Sequence, residues 1–195
     1  MTRVVLIRPG STDYDDQERI QGMLDVPLNV RGGQEAAQTA EEIRQMPIKV
    51  VYSGNEESAR ATARAIREAT GVRVRDLAKL HNLNHGLWQG LQVDEVRRKH
   101  PRVYRQWCES PTTVCPPGGE TIMDAYERVR RLIRPLIKRH RDSVFAIVAP
   151  EPIASVIRCY LEQQNLERVW ELRNGDGRWQ VVEVTAEQSN GKVEG

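Results

Sequence analysis

At 195 residues with 39% hydrophobic content, the chain is long enough for one domain with a substantial core and short for two. Its 29 basic and 27 acidic residues leave a formal net charge of +2, too weak a field to imply nucleic acid or an anionic membrane as a partner. No apolar run approaches the ~20 residues of a membrane helix, the first residues lack a signal-peptide pattern, and Cys108, Cys115 and Cys159 lack zinc-ligand spacing, so a soluble cytoplasmic protein with reduced thiols is expected.

Val4 to Ile7 are four apolar residues without alternation, the pattern of a strand buried on both faces. The run breaks into a glycine turn beside a single arginine, Arg8-Pro9-Gly10-Ser11-Thr12. Open α/β sheets bind ligands at the carboxyl ends of their strands, so this turn is expected at the binding edge with backbone amides available to an anion. A polar stretch from Asp13 to Asn29 leads to a helix from about Gly33 to Met46, with Ala37, Ala40 and Ile43 at helical spacing. Val50 to Tyr52 is a second strand, followed by a helix whose Ala59, Thr62, Ala63 and Ile66 share a face and which closes at Thr70-Gly71. Strands alternating with helices at such intervals predict a three-layer α/β/α fold with a mostly parallel central sheet.

From Val72 to Gly118 the pattern weakens: a tryptophan-bearing loop, a helix near Val93 to Trp107 interrupted around Pro101, and a turn at Pro116-Pro117-Gly118. A helix from about Glu120 to His140 carries Ile122, Ala125, Val129, Leu132, Ile133, Leu136 and Ile137 on one stripe, with a kink expected at Pro135. Ser143 to Ala149 reads as a third strand, and Ile153, Val156, Ile157, Tyr160 and Leu161 mark the next helix, with Pro152 in its first turn. A turn at Asn174 to Gly177, a last strand from Trp179 to Val184 and a polar, disordered tail from Ala186 to Gly195 complete a single domain over residues 1–185.

Several short motifs stand along the chain in this order: Arg8, Gly10 and Thr12 after the first strand; Arg19, Gln21 and Gly22 with Asp25, Pro27 and Leu28; Gly32; Tyr52 and Ser53; Ala59, Thr62 and Ala63; Gly86, Trp88 and Gly90; and Pro117 to Glu120. From Val4 to about Arg158 this order resembles the histidine phosphatase superfamily, also called phosphoglycerate mutase-like. That resemblance implies the same three-layer fold and a phosphohistidine chemistry, which needs a nucleophile, an acid for the leaving oxygen and positive donors around the phosphoryl group. Arg8 keeps the family's first arginine. The nucleophilic histidine of R-H-G-E-T falls on Pro9, which has no lone pair to attack with. The second arginine falls on Ser58, and Arg60 would replace it only through a two-residue bulge, because two helical steps turn a side chain by about 200°.

The family's acid falls on Asn82, Gln89 replaces a further acid, and the second histidine falls on Pro150 within Ala149-Pro150-Glu151. Each acid–base group contributes ~10²- to 10⁴-fold, so turnover by this route is expected to be undetectable. Glu151 stands where the family has glycine, and Glu56 and Glu57 are near in sequence, which disfavours a retained phosphate pocket; Ser11 in place of the family's acidic residue argues against a mutase-type pocket. No catalytic residue is therefore assigned. The residual anion-binding set would be Arg8, Gly10, Ser11, Thr12 and Arg60. His81 and His85 read as rim or surface histidines, His100 and His140 as solvated, and Trp88, Trp107, Trp170 and Trp179 as packing residues.

The expectation is a catalytically inactive histidine phosphatase-like protein with a binding or regulatory role, without cofactor or metal. Its partner would be an unidentified small molecule or protein, with homodimer formation implied by the resemblance alone. An active phosphohydrolase of non-standard mechanism around Arg8, and a structural partner subunit, are the rival readings.

Overall fold

In the computed structural model, residues 1–173 and 177–184 are described. In chain order they form β1 (Thr2–Ile7), α1 (Asp13–Asp16), α2 (Val30–Glu42), β2 (Ile48–Ser53), α3 (Glu57–Thr70), β3 (Val74–Asp76), α4 (Val93–Lys99), α5 (Pro101–Glu109), α6 (Ile122–Arg139), β4 (Val144–Val148), α7 (Ile153–Glu162), α8 (Val169–Arg173) and β5 (Trp179–Val184). The strands make one sheet in the order β3-β2-β4-β1-β5. β1, β2, β3 and β4 run parallel where they pair, and β5 lies antiparallel on β1, with Ile7 opposite Trp179.

The apolar runs become central strands because both faces of the sheet are covered. Val4, Leu6, Phe145 and Ile147 pack into one core with α6 and α7, while Val5, Ile7, Ala146 and Val148 pack into the other with α2 and α3. All five residues of β4 are buried, and each fully buried large side chain contributes roughly 1.5–3 kcal/mol. The last ladder donor at the carboxyl end is Ala149, whose amide bonds the Ile7 carbonyl at 3.0 Å. Pro150 therefore removes no ladder bond from the sheet.

Helix α2 starts at Val30, three residues before the expected Gly33, because Asn29 caps it by accepting from the Gly32 amide at 2.8 Å. Gly32 also permits close approach: a Cβ there would stand 1.9 Å from the Ser11 carbonyl oxygen, and one on Gly10 would stand 2.1 Å from the Gly32 carbonyl oxygen. The turn after β1 is thus pressed against the first turn of α2. α3 ends as expected, with Gly71 left-handed at φ 71°. α6 opens on a capping box between Thr121 and Asp124 and continues through Pro135 as one helix of 18 residues. The break between α4 and α5 falls at His100-Pro101, as the sequence predicts. The short edge strand β3 was not expected. The expected tail from Ala186 to Gly195, and most of the turn from Asn174, lie outside the described residues.

Candidate functional site

The carboxyl ends of β1 and β4 and the start of α3 open on a cleft of about 740 Å³. Its floor is the turn after β1 with Ser58, Pro150, Glu151 and Pro152, and its wall carries His85, Trp88, Tyr104, Trp107 and Trp170.

The turn after β1 is satisfied from within, contrary to the expectation of free amides. Gly10 N donates to Thr62 Oγ1 at 3.1 Å, Ser11 N to Glu35 Oε2 at 2.8 Å, and Thr12 N to Asp15 Oδ2 at 2.7 Å. Each amide is thus engaged by a side chain, two of them by carboxylates, which leaves them poor anion donors. Arg8 donates through Nη2 to the Gly177 carbonyl. Arg178, at the start of β5, was missed by the sequence reading. It donates to the Pro9 carbonyl and to Ser11 Oγ, each at 2.9 Å, and pairs with Glu35. Burial pushes the Glu35 carboxyl up, but the Ser11 amide and hydroxyl and the Arg178 guanidinium outweigh it and hold the group below the ordinary 4.5. Only the antiparallel pairing of β5 on β1 brings Arg178 here, and nothing local in the sequence signals it.

Ser58 is buried and lines the cleft. Arg60 does not line it. Its guanidinium lies 3.4 Å from Asn55 Oδ1 and 3.9 Å from Asp76 Oδ2, toward β3, so its place in the anion-binding set is corrected: two steps along α3 turn it away from Ser58.

Asn82 is 1% exposed and holds three loops together. Its backbone amide donates to Glu56 Oε1 at 2.6 Å, its side-chain amide to the Glu151 carbonyl at 2.9 Å, and its Oδ1 accepts from Leu83 N at 2.8 Å. Glu151 in turn accepts through Oε2 from Ser155 N at 3.2 Å and Ser155 Oγ at 2.7 Å. Loops following β2, β3 and β4 are thereby tied where the family resemblance puts an acid and a histidine. Of the three glutamates expected to crowd the site, only Glu151 lines the cleft. Glu56 is turned to Asn82, and Glu57 pairs with Arg64.

Two histidines depart from expectation. His85 is 7% exposed, lines the cleft and packs its ring 5.7 Å from that of Trp107. Its Nδ1 lies 3.1 Å from the Leu83 carbonyl, which can only accept, so that nitrogen carries the hydrogen. His140 sits at the opposite end of the sheet, with Nε2 2.9 Å from the Tyr52 hydroxyl and its ring 4.9 Å from Phe145. Burial first, then Arg139 and Arg75, lower its pKa below the ordinary 6.5. Charged neighbours in sequence suggested solvation for His140, which packing on Tyr52 and Phe145 half-buries; His85, read as a rim or surface residue, does line the cleft but is buried there against Trp107. His81 is half-buried, 2.9 Å through Nδ1 from the Asn82 carbonyl, and is not on the cleft surface. Among the described residues no cluster of three His, Cys, Asp or Glu could hold a metal.

Trp107 centres the aromatic wall, with ring centroids 5.1 Å from Trp170 and 5.9 Å from Trp88. Trp170 Nε1 fixes the pair by donating to the Trp107 carbonyl at 2.7 Å. These residues both pack the core and face the cleft, whereas Trp179 donates to Glu42 beside α2. Among the described residues no helix is long and apolar enough to cross a membrane.

The family model described as histidine phosphatase superfamily (branch 1) matches residues 4–193. Phosphoserine phosphatase 1 of Hydrogenobacter thermophilus is 28% identical over 184 residues, 94% of this chain and 87% of that protein. A mycobacterial glucosyl-3-phosphoglycerate phosphatase in complex with VO3 shares the fold with a TM-score of 0.86 and 26% identity, over 96% of this chain and 93% of that one. A structure described as mycobacterial hydrolase 1 gives 0.84 and 28%, over 92% and 89%.

Proposed function

The chain belongs to the histidine phosphatase superfamily, and from that premise we propose that it is a pseudoenzyme whose cleft binds a small molecule without turning over a phosphate ester. The reading rests on Pro9 and Pro150. Both line the cleft at the ends of β1 and β4, at the places that the family's motifs give to the nucleophilic and the second histidine. Neither ring has a lone pair that could take a phosphoryl group or a proton to give to a leaving oxygen.

Ser58 and Asn82 support the same reading. Serine carries no positive charge to hold phosphoryl oxygens, and the Asn82 amide is spent on the Glu151 carbonyl rather than aimed at a leaving group. The engagement of the Gly10, Ser11 and Thr12 amides supports it further. The hydrolytic activities named for the relatives above are not carried over to this chain.

A second reading, phosphohydrolysis by another nucleophile, draws on His85, which shares the cleft lining with Arg8. Phosphate release from 4-nitrophenyl phosphate and a phosphosugar panel separates the two. The native chain, Arg8→Ala and His85→Ala are expected to release none above buffer. Release by the native chain that disappears in either variant would establish a working site and overturn the pseudoenzyme reading.

A further inference from the structure

The formal net charge of +2 is an average over a surface whose charges are not evenly spread. Where α6 ends beside the edge strand β3, six exposed cations gather: Lys138, Arg139 and Arg141 at the end of the helix, Arg73 and Arg75 at β3, and Lys49 at the start of β2. Val72 and Val74 pack into the core under α2 and α3, so Arg73 and Arg75, which alternate with them, face the α6 side of the sheet. The two halves of the group meet at His140. Arg75 stands opposite Tyr52 in the ladder, the Tyr52 hydroxyl lies 2.9 Å from His140 Nε2, and Arg139 and Arg75 both add, after burial, to the depression of the His140 pKa. The Val51 amide donates to the Arg73 carbonyl at 2.9 Å, which sets Lys49 close by on the neighbouring strand.

This charge is not compensated. Among the described residues none of the six cations has an ion-pair partner, whereas Arg128 and Arg130, earlier on α6, pair with Glu120 and Glu127. The carboxylates that adjoin the group in the chain are engaged elsewhere: Asp76 lies 3.9 Å from Arg60, and Asp142 is held by the Met1 amine. Acids that cancel these cations in the sum stand at the cleft end instead, with Asp13, Asp15 and Asp16 on α1 and Glu18 after it. The total charge therefore hides a local positive field.

The rest of the patch narrows the choice of polyanion. An acidic protein partner would be expected to bury an apolar centre within a polar rim, and an anionic membrane to take up apolar side chains besides the charge. Met1, beside Asp142, is the one large apolar side chain exposed here among the described residues. Single-stranded nucleic acid is held by stacking on aromatic rings, but Tyr52 and Phe145 are buried. Interfaces with duplex nucleic acid are polar and strongly positive, and a duplex carries one negative charge per ~1.7 Å of its axis, so it sets several phosphates against a cluster of this kind at once.

We propose that this patch docks the phosphate backbone of a nucleic-acid duplex without reading its bases. Five of the seven positions from Lys138 to Val144 and β3 offer no groove-reading helix or ring, only cations, and phosphate contacts position a duplex without specifying its sequence. Neither the patch nor its test involves the cleft, so the pseudoenzyme reading can fail without it.

Fluorescence anisotropy of a short labelled DNA duplex, titrated with the native chain over a salt series, tests this. A dissociation constant of ~10⁻⁴ M or tighter is expected at physiological salt, with log K falling against log salt at about −0.9 per phosphate contacted, or roughly −3 to −5 here. A duplex of scrambled sequence should bind within ~2-fold. The triple variant Arg73→Gln, Arg75→Gln, Arg139→Gln should bind ~10-fold more weakly and flatten the slope by roughly 2–3. Removing the same charge at the cleft end, with Arg98→Gln, Arg102→Gln and Arg105→Gln on α4 and α5, should change the affinity by less than ~2-fold. No binding at low salt, a slope shallower than about −2, or equal losses in the two triple variants would overturn the proposal. So would capture of the native chain by phosphatidylserine vesicles or poly-glutamate in the absence of duplex binding, which would assign the patch to a membrane or an acidic protein.

Discussion

From Val144 to Val148 every side chain is buried and apolar, while a few residues further on Glu151 and Ser155 bond one another and the Glu151 carbonyl takes the Asn82 side chain. The strand is held by what it hides from water, and the loop by reciprocal polar contacts that lie far apart in sequence. On the pseudoenzyme reading, that difference would let the fold outlast the chemistry. Sheet positions tolerate only apolar residues of suitable size, so they keep the architecture. On the same reading, loop positions at the strand ends could exchange histidine for proline where the remaining polar groups find partners, as Asn82, Glu151 and Ser155 do in each other.

The largest effect should come from the strand interior. Phe145→Ala removes a fully buried ring that packs at 6.0 Å from Tyr52 and 4.9 Å from His140, and should cost about 3–5 kcal/mol in urea unfolding. A loss below about 1 kcal/mol would break the contrast between dry strands and polar loops. Asn82→Ala should cost about 1–3 kcal/mol, because the Glu151 carbonyl and the Leu83 amide would be left buried without their partner.

Glu35→Gln should cost less, about 1 kcal/mol at neutral pH, since the carboxylate keeps 21% of its side-chain surface in water. Its sign with pH is fixed. The folded-state pKa is depressed, so the native Glu35 contributes its stability above the ordinary 4.5 and loses it as pH falls through the lower folded value. The variant should therefore unfold with a shallower acid dependence below pH 4.5 than the native chain. The smallest change is read at His140, at the other end of the sheet. Its pKa is also depressed, so its contribution is present above 6.5 and is lost as pH falls through the lower folded value. An NMR titration of its ring should give a midpoint below 6.5; a midpoint at about 6.5 would mean that the ring is solvated.

Legibility in the sequence follows the same division. β1 and β4 could be read because an apolar run without alternation has few alternatives to a buried strand. β3 could not, since Val74, Arg75 and Asp76 form an exposed edge whose pairing is set by β2. The start of α2 was set at about Gly33, three residues late, although Asn29 was present as the cap. Pro9, Ser58 and Pro150 were brought together by the family resemblance, and all three line the cleft. The pair of Glu35 with Arg178, which holds the floor, joins the first turns of α2 to the last strand and leaves no local pattern. Arg178 could have been found only by placing β5 antiparallel on β1. The burial of His85 and the partial burial of His140 depended likewise on rings from other elements, Trp107 for one and Tyr52, with the nearby Phe145, for the other.

The most direct test asks whether any residue of the cleft accepts a phosphoryl group. Intact-protein mass spectrometry after incubation with phosphoramidate, a small phosphoryl donor, should give the native chain the same extent of modification as His85→Ala, since uncatalysed transfer to the exposed His100 is common to both. A species heavier by one phosphoryl group, present in the native chain and absent from His85→Ala, would place a working nucleophile in the cleft and contradict the pseudoenzyme reading.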